Sequence, residues 1–69
     1  MTMNRYDSRD YYYVECVEGY VTLRPLKGRS LHVKETLLYH FVGEEGMEEG
    51  NRLRVTTCGD EIINIKYYG

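Results

Sequence analysis

The sequence has no tryptophan, one phenylalanine and one proline. It also lacks a long apolar run: nothing approaches the ~20 consecutive apolar residues that span a bilayer, so no membrane partner is expected. Cysteine is scarce. Cys16 and Cys58 are the only two, whereas small secreted scaffolds held by disulfides are far denser in cysteine. Met1–Asp10 is polar and carries no apolar stretch, so no secretory leader is expected. These absences point to a cytoplasmic protein with both thiols reduced. Positive charge is not in excess either: Lys and Arg number 9 against 11 Asp and Glu, for a net charge of −2. That excludes a general polyanion binder but leaves room for a local basic patch. G-x-S-x-G, H-E-x-x-H and P-loop motifs are all missing, so no catalytic residue is assigned and the chain is not expected to be an enzyme.

What is present is tyrosine, 8 residues of it in a chain of 69. This ring combines a large apolar area with a polar tip and suits interfaces and partly wet surfaces. The length allows a single domain. A core in this size range rarely supplies more than about 3–5 kcal/mol and is usually supplemented by disulfides, a metal or a partner chain. With the first two poorly supported by this sequence, oligomerisation is the expected supplement.

Residues 1–10 read as a flexible N-terminal tail and residues 11–69 as one domain. Tyr11–Glu18 and Tyr20–Leu26 are rich in β-branched and aromatic residues and read as strands. A two-residue Glu18-Gly19 turn sets Val17 opposite Tyr20, Cys16 opposite Val21 and Val14 opposite Leu23. Val14, Cys16, Val21 and Leu23 then share the buried face, with Tyr11 and Tyr13 on the opposite one. Pro25 cannot donate to a ladder and marks the strand's end or an edge. Ser30 is a candidate N-cap for a helix over Leu31–Val42, with Gly43 as its stop. Val33, Leu37, Leu38 and Phe41 form that helix's apolar face. The segment 43–50, GEEGMEEG, reads as an exposed loop. Asn51–Thr57 alternates, with Leu53 and Val55 on one side and Arg52 and Arg54 on the other. Glu61–Tyr68 places Ile63, Ile65 and Tyr67 on one face and Ile62, Asn64, Lys66 and Tyr68 on the other. A plain two-residue Gly59-Asp60 turn would mix these faces. An odd-length loop is expected instead, or a bulge, with Gly59 at positive φ. The expected fold is α+β, a small ββαββ domain of two antiparallel hairpins and one helix, completed by oligomerisation.

Two surface sets stand out. Tyr11, Tyr13, Tyr20, Tyr39, Tyr67 and Tyr68 are too many rings for one helix to cover, and a clump of exposed aromatic area marks an interface. Arg24, Lys27, Arg29, Arg52, Arg54 and Lys66 form the alternative, a basic set with Tyr68 beside it. Guanidinium groups bind phosphates and tyrosine rings stack on bases. Metal sites fare worse. Cys16, Cys58, His32 and His40 lack the tight paired spacing of zinc ligands. Glu44, Glu45, Glu48 and Glu49 lack the alternating ligand pattern of a calcium loop. Ser30 and His32 stand two apart on the expected helix and would not face each other. No metal or cofactor is assigned.

The run Val33-Lys34-Glu35-Thr36-Leu37-Leu38-Tyr39-His40-Phe41, a glycine-bearing loop, Arg52–Thr56 and Glu61-Ile62-Ile63 together resemble small phage and prophage proteins of the YonK type. Gly50-Asn51-Arg52-Leu53-Arg54-Val55 is also similar to the SpoVT/AbrB swapped-hairpin family. The first resemblance implies an oligomeric, phage-associated protein of unassigned role. The second implies an intertwined dimer that binds DNA. GEEGMEEG departs from both patterns, and Arg24, Lys27 and Arg29 echo only part of the basic strand that precedes the helix in the AbrB-like family. The leading expectation is a non-catalytic homo-oligomer, a dimer or larger, that acts as a phage or mobile-element accessory by contacting a host or viral protein. The alternative is a small nucleic-acid-binding regulator using the basic sheet face.

Overall fold

One 12-residue strand, β1 (Tyr6–Val17), stands at the centre of the sheet and has a neighbour on each side. The computed structural model describes residues 5–43 and 46–69. After β1 come β2 (Tyr20–Arg24), β3 (Leu31–Lys34), helix α1 (Glu35–Val42), β4 (Arg52–Cys58) and β5 (Glu61–Tyr67). The strands form one 5-stranded sheet in the order β3-β2-β1-β4-β5, with every neighbouring pair antiparallel. The fold is thus small and α+β. Its first four strands trace a Greek key: three strands joined in succession, and a fourth returning beside the first.

The order is βββαββ, one strand more than expected. Leu31–Lys34 pairs with β2, Val33 opposite Val21 and Leu31 opposite Leu23, so these residues are strand and the helix begins only at Glu35. In four residues the pattern Leu-His-Val-Lys fits either period, and pairing with β2 decides it. Ser30 therefore caps nothing. Lys34 stands at the N-cap without a side-chain cap bond, and the Glu35 amide instead donates to the Gly19 carbonyl at 2.9 Å. Of the expected helical face, Leu38 is buried and Phe41 half-buried, whereas Leu37 is exposed and Val33 belongs to β3. Gly43 does end the helix, at φ 78°, with its amide donating to Tyr39 O at 2.8 Å.

The sheet also begins earlier than expected. Tyr6–Asp10, taken from sequence as part of a tail, pairs with Arg54–Cys58 in unbroken register. No apolar alternation announces this stretch. Polar cross-strand pairs hold it, with Ser8 Oγ 2.8 Å from Thr56 Oγ1 and Arg54 Nε donating to Asp10 Oδ1 at 2.9 Å. Met1–Asn4 lie outside the described residues.

Two bulges reset the faces. The turn Glu18-Gly19 is tight, with both φ values positive (51° and 80°), as a type I′ hairpin requires. Val17 opposes Tyr20 and Cys16 opposes Val21 as expected, but the register shifts at Val14, so Leu23 meets Tyr13 instead. A bulge residue reverses the parity of everything beyond it. Tyr11 and Tyr13 consequently share the inner face with Cys16 rather than opposing it. In the other hairpin Cys58 opposes Glu61, so the turn is the two-residue Gly59-Asp60, and the shift falls at Ile63. Gly59 has φ 63°. Val55 then meets Ile65 and Leu53 meets Tyr67, two residues along β5 from the partners a three-residue loop would give, Ile63 for Val55 and Ile65 for Leu53. Ile62 packs on the core and Ile63 is exposed.

The core is Val21, Leu23, Val33, Leu38, Leu53, Val55 and Ile65. The helix packs against β5 as well as β3, which are opposite edges of the sheet. β1 pairs with β4 through Tyr6–Tyr12 and with β2 through Tyr12–Val17, so its two halves serve different flanks, and the buried residues of both flanks meet with Leu38 in one cluster. The sheet is therefore curled into a partly open barrel, with α1 bridging the gap between its edges. Among the described residues, no helix is long and apolar enough to cross a membrane.

Candidate functional site

Curling gives the sheet a concave, apolar side and a convex side turned away from the core. Side chains alternate between them. On the convex side, Tyr12 is paired at once with Arg24 of β2 and Arg52 of β4, so a ring lies between two guanidinium groups across three strands. Arg54 and Lys66 oppose each other one step further along β4 and β5. Past the end of β5, the Tyr68 amide donates to the Arg52 carbonyl at 2.9 Å. This bond carries the Tyr68 ring over the same face.

The result is an aromatic ring among cations. The Arg52 guanidinium lies 4.9 Å from the Tyr68 ring centre, the Lys66 amine 5.5 Å and the Arg54 guanidinium 5.7 Å. Each cation faces the negative π cloud of the ring, which orders long side chains that would otherwise sweep freely. Tyr68 remains 42% exposed. Asp10 joins the group through Arg54. Its hydrogen bond with Arg54 holds its carboxyl below the usual carboxylate range, and the same contact holds the Arg54 guanidinium further above its own. Arg24, Arg52, Arg54 and Lys66 thus occupy one face. Lys27 and Arg29 lie exposed in the connection between β2 and β3, outside that ladder.

The tyrosine set divides. Tyr11, Tyr13, Tyr39 and Tyr67 are partly buried and pack against the core from the concave side. Tyr20 and Tyr68 are exposed, Tyr20 beside Val17 at the β1–β2 turn. The six rings therefore do not form a single surface clump.

Beneath the sheet a small polar network replaces the purely apolar core expected around Cys16. The Cys16 thiol donates to Glu35 Oε2 at 3.1 Å, and the Tyr39 hydroxyl donates to the same oxygen at 3.4 Å. The hydrogen bond to Glu35 pushes the Cys16 thiol up, and burial does the same to the Tyr13 and Tyr39 hydroxyls. These groups are held protonated, so Cys16 is a weak nucleophile. Cys58 is free and stands at the end of β4. His32 Nδ1 lies 3.2 Å from Thr22 Oγ1, and the His40 ring meets Phe41 edge-on. Among the described residues no three His, Cys, Asp or Glu side chains are grouped to hold a metal. Glu44 and Glu45 lie outside those residues, Glu48 and Glu49 are exposed, and Met47 packs against the core.

Sequence reasoning missed Tyr12 and Asp10. Asp10 was assigned to the tail, and Tyr12 was hidden in a run of three tyrosines whose two neighbours point inward. The available signal was the alternation itself: in Tyr11-Tyr12-Tyr13 the middle ring must take the other face. Compared with known proteins, the chain matches no family model, no curated protein and no solved structure.

Proposed function

We propose that this protein binds single-stranded nucleic acid along the convex face of its sheet. The carrying observation is the convergence of Arg52, Arg54 and Lys66 on the exposed Tyr68 ring, continued by Arg24 across Tyr12. Cations take the phosphates, and the rings of Tyr12 and Tyr68 offer platforms for bases, whose faces only an unpaired strand presents. Net charge opposes the reading less than it first suggests, because phosphate contacts are local and the four cations Arg24, Arg52, Arg54 and Lys66 outnumber the acids beside them, Asp10, Glu15 and Glu49. Open five-stranded Greek-key barrels of the OB class also use a sheet face and adjoining loops for oligonucleotides, although architecture alone assigns no function. No catalysis is part of the proposal.

The test is fluorescence anisotropy with labelled oligouridine and oligothymidine. Binding should weaken with salt, with a log–log slope of about −2 to −3 if the four cations each meet a phosphate, at about 0.7 per phosphate. Arg52→Glu with Arg54→Glu should abolish it while the circular dichroism spectrum stays unchanged. No binding of either oligomer at low salt overturns the reading.

A second reading, a protein contact with another copy of the chain or with a host or viral protein, is favoured by one feature. Val17 and Tyr20 sit side by side at 54% and 51% exposure. Light scattering tests its homo-oligomeric form, and a monomer at micromolar concentration removes that form.

A further inference from the structure

At the inner end of the convex face the sheet opens into a cleft. Tyr12 is the last β1 residue in the β1–β4 ladder, and the register with β2 shifts two residues on, at Val14. Bulges re-aim side chains and interrupt pairing in this way. The cleft beside this shift has a volume of about 360 Å³, within the range of small-ligand sites, and Tyr12, Val14, Arg24, Pro25, Leu26 and Glu49 are among its lining residues.

The cleft is built rather than incidental. Its far wall is fastened to β1 by backbone bonds: the Tyr13 amide donates to the Asn51 carbonyl and the Gly50 amide to the Tyr13 carbonyl, both at 2.8 Å. Asn51 Oδ1 accepts from the Glu48 amide at 2.7 Å and from the Tyr67 hydroxyl at 3.1 Å. These bonds fix the backbone that presents Glu49. The rest of the lining includes the Tyr12 ring, the Arg24 side chain and the apolar Val14, Pro25 and Leu26, the last 85% exposed. Tyr12 and Arg24 belong both to the cleft and to the cationic face.

Resting on the nucleic-acid reading above, we infer that this cleft receives a guanine base from the bound strand, recognised by the Glu49 carboxylate. An ionised carboxylate only accepts hydrogen bonds, and its two oxygens accept best from two parallel donors. Guanine alone among the common bases offers that pair on its Watson–Crick edge, N1–H beside the N2 amine. Adenine and cytosine place a lone-pair nitrogen next to their amine. Uracil and thymine flank their single N–H with two carbonyls. Each of these turns a lone pair toward the second carboxylate oxygen. Arg24 at the mouth holds the phosphate of the same nucleotide, and Tyr12 and Leu26 cover the faces of the base.

The experiment compares eight-mers of oligouridine and of oligothymidine carrying one central guanine, adenine, cytosine or hypoxanthine. The guanine oligomer should bind about tenfold more tightly than the adenine and cytosine ones, the scale of one good two-bond base contact. Hypoxanthine, which lacks the N2 amine, should lose most of the advantage. Glu49→Gln should erase the preference while binding the unsubstituted oligomers no more weakly than the parent. Free guanosine monophosphate should compete at least a hundredfold less well than the guanine oligomer. Equal affinity for all four substituted oligomers overturns the inference and leaves the convex-face reading standing, as does a preference that survives Glu49→Gln. Equal competition by the free nucleotide overturns the strand as the source of the base. Failure of every oligomer to bind rejects the convex-face reading itself.

Discussion

The β1–β4–β5 ladder carries two surfaces with the same backbone and opposite duties. On its concave side Leu53, Val55 and Ile65 are buried in the core with Tyr11 and Tyr67 packed beside them. On its convex side Tyr12, Arg52, Arg54, Lys66 and Tyr68 stay in contact with water. One residue step separates a side chain that stabilises the fold from one that is free to bind. The difference teaches that stability and recognition should be separable here by parity alone.

Leu53→Ala attacks the concave side and should have the largest effect. Leu53 is fully buried, and its truncation should cost about 2–5 kcal/mol, read as a lower midpoint in urea denaturation. If the barrel survives, affinity for oligonucleotide should be little changed. A loss of binding without a loss of stability would break the division between the faces. Tyr68→Ala attacks the convex side. Removing a base platform should weaken oligonucleotide binding by about 1–3 kcal/mol, measured by anisotropy. Its effect on folding should stay within about 1 kcal/mol, the scale of exposed cation–π contacts. The smallest effect belongs to Asp10→Asn. Asp10 keeps Arg54 engaged, so its neutralisation should tighten binding by no more than about fivefold. The sign of its pH dependence is fixed by Arg54. The folded carboxyl titrates below its ordinary 3.8, so its stabilising contribution is complete above that value. It disappears as pH falls through the lower folded value. Asp10→Asn should remove that part of the acid limb in stability-versus-pH curves.

Much of this was readable from the residue pattern, and the exceptions share a cause. Arg52 and Arg54 alternate strictly with Leu53 and Val55, so their common face with Lys66 and Tyr68 follows from period two. The Glu18-Gly19 turn and its first two cross-strand pairs follow equally from turn chemistry. What the pattern conceals is where an extra residue enters a ladder. Val14 and Ile63 are ordinary strand formers, and nothing local distinguishes a bulge from a paired position. Each moves its neighbours to the other face, which is how Tyr13 and Ile62 came to lie inward. Tyr6–Asp10 and Leu31–Lys34 were obscured for another reason: their strand character comes from the partners β4 and β2, not from their own composition. The cleft beside Tyr12 depends on a bulge and on backbone bonds to the loop before β4, and neither leaves a mark in the order of residues.

The bridging helix has a consequence for solution behaviour. Eight residues are too few for a helix to persist in water unaided, so α1 exists only while both rims of the barrel hold it. Should it fray, the rims of β3 and β5 would be bared together, each a row of unsatisfied amides and carbonyls ready to recruit a neighbouring chain. Holding this short helix in place is therefore what keeps both edges covered on warming.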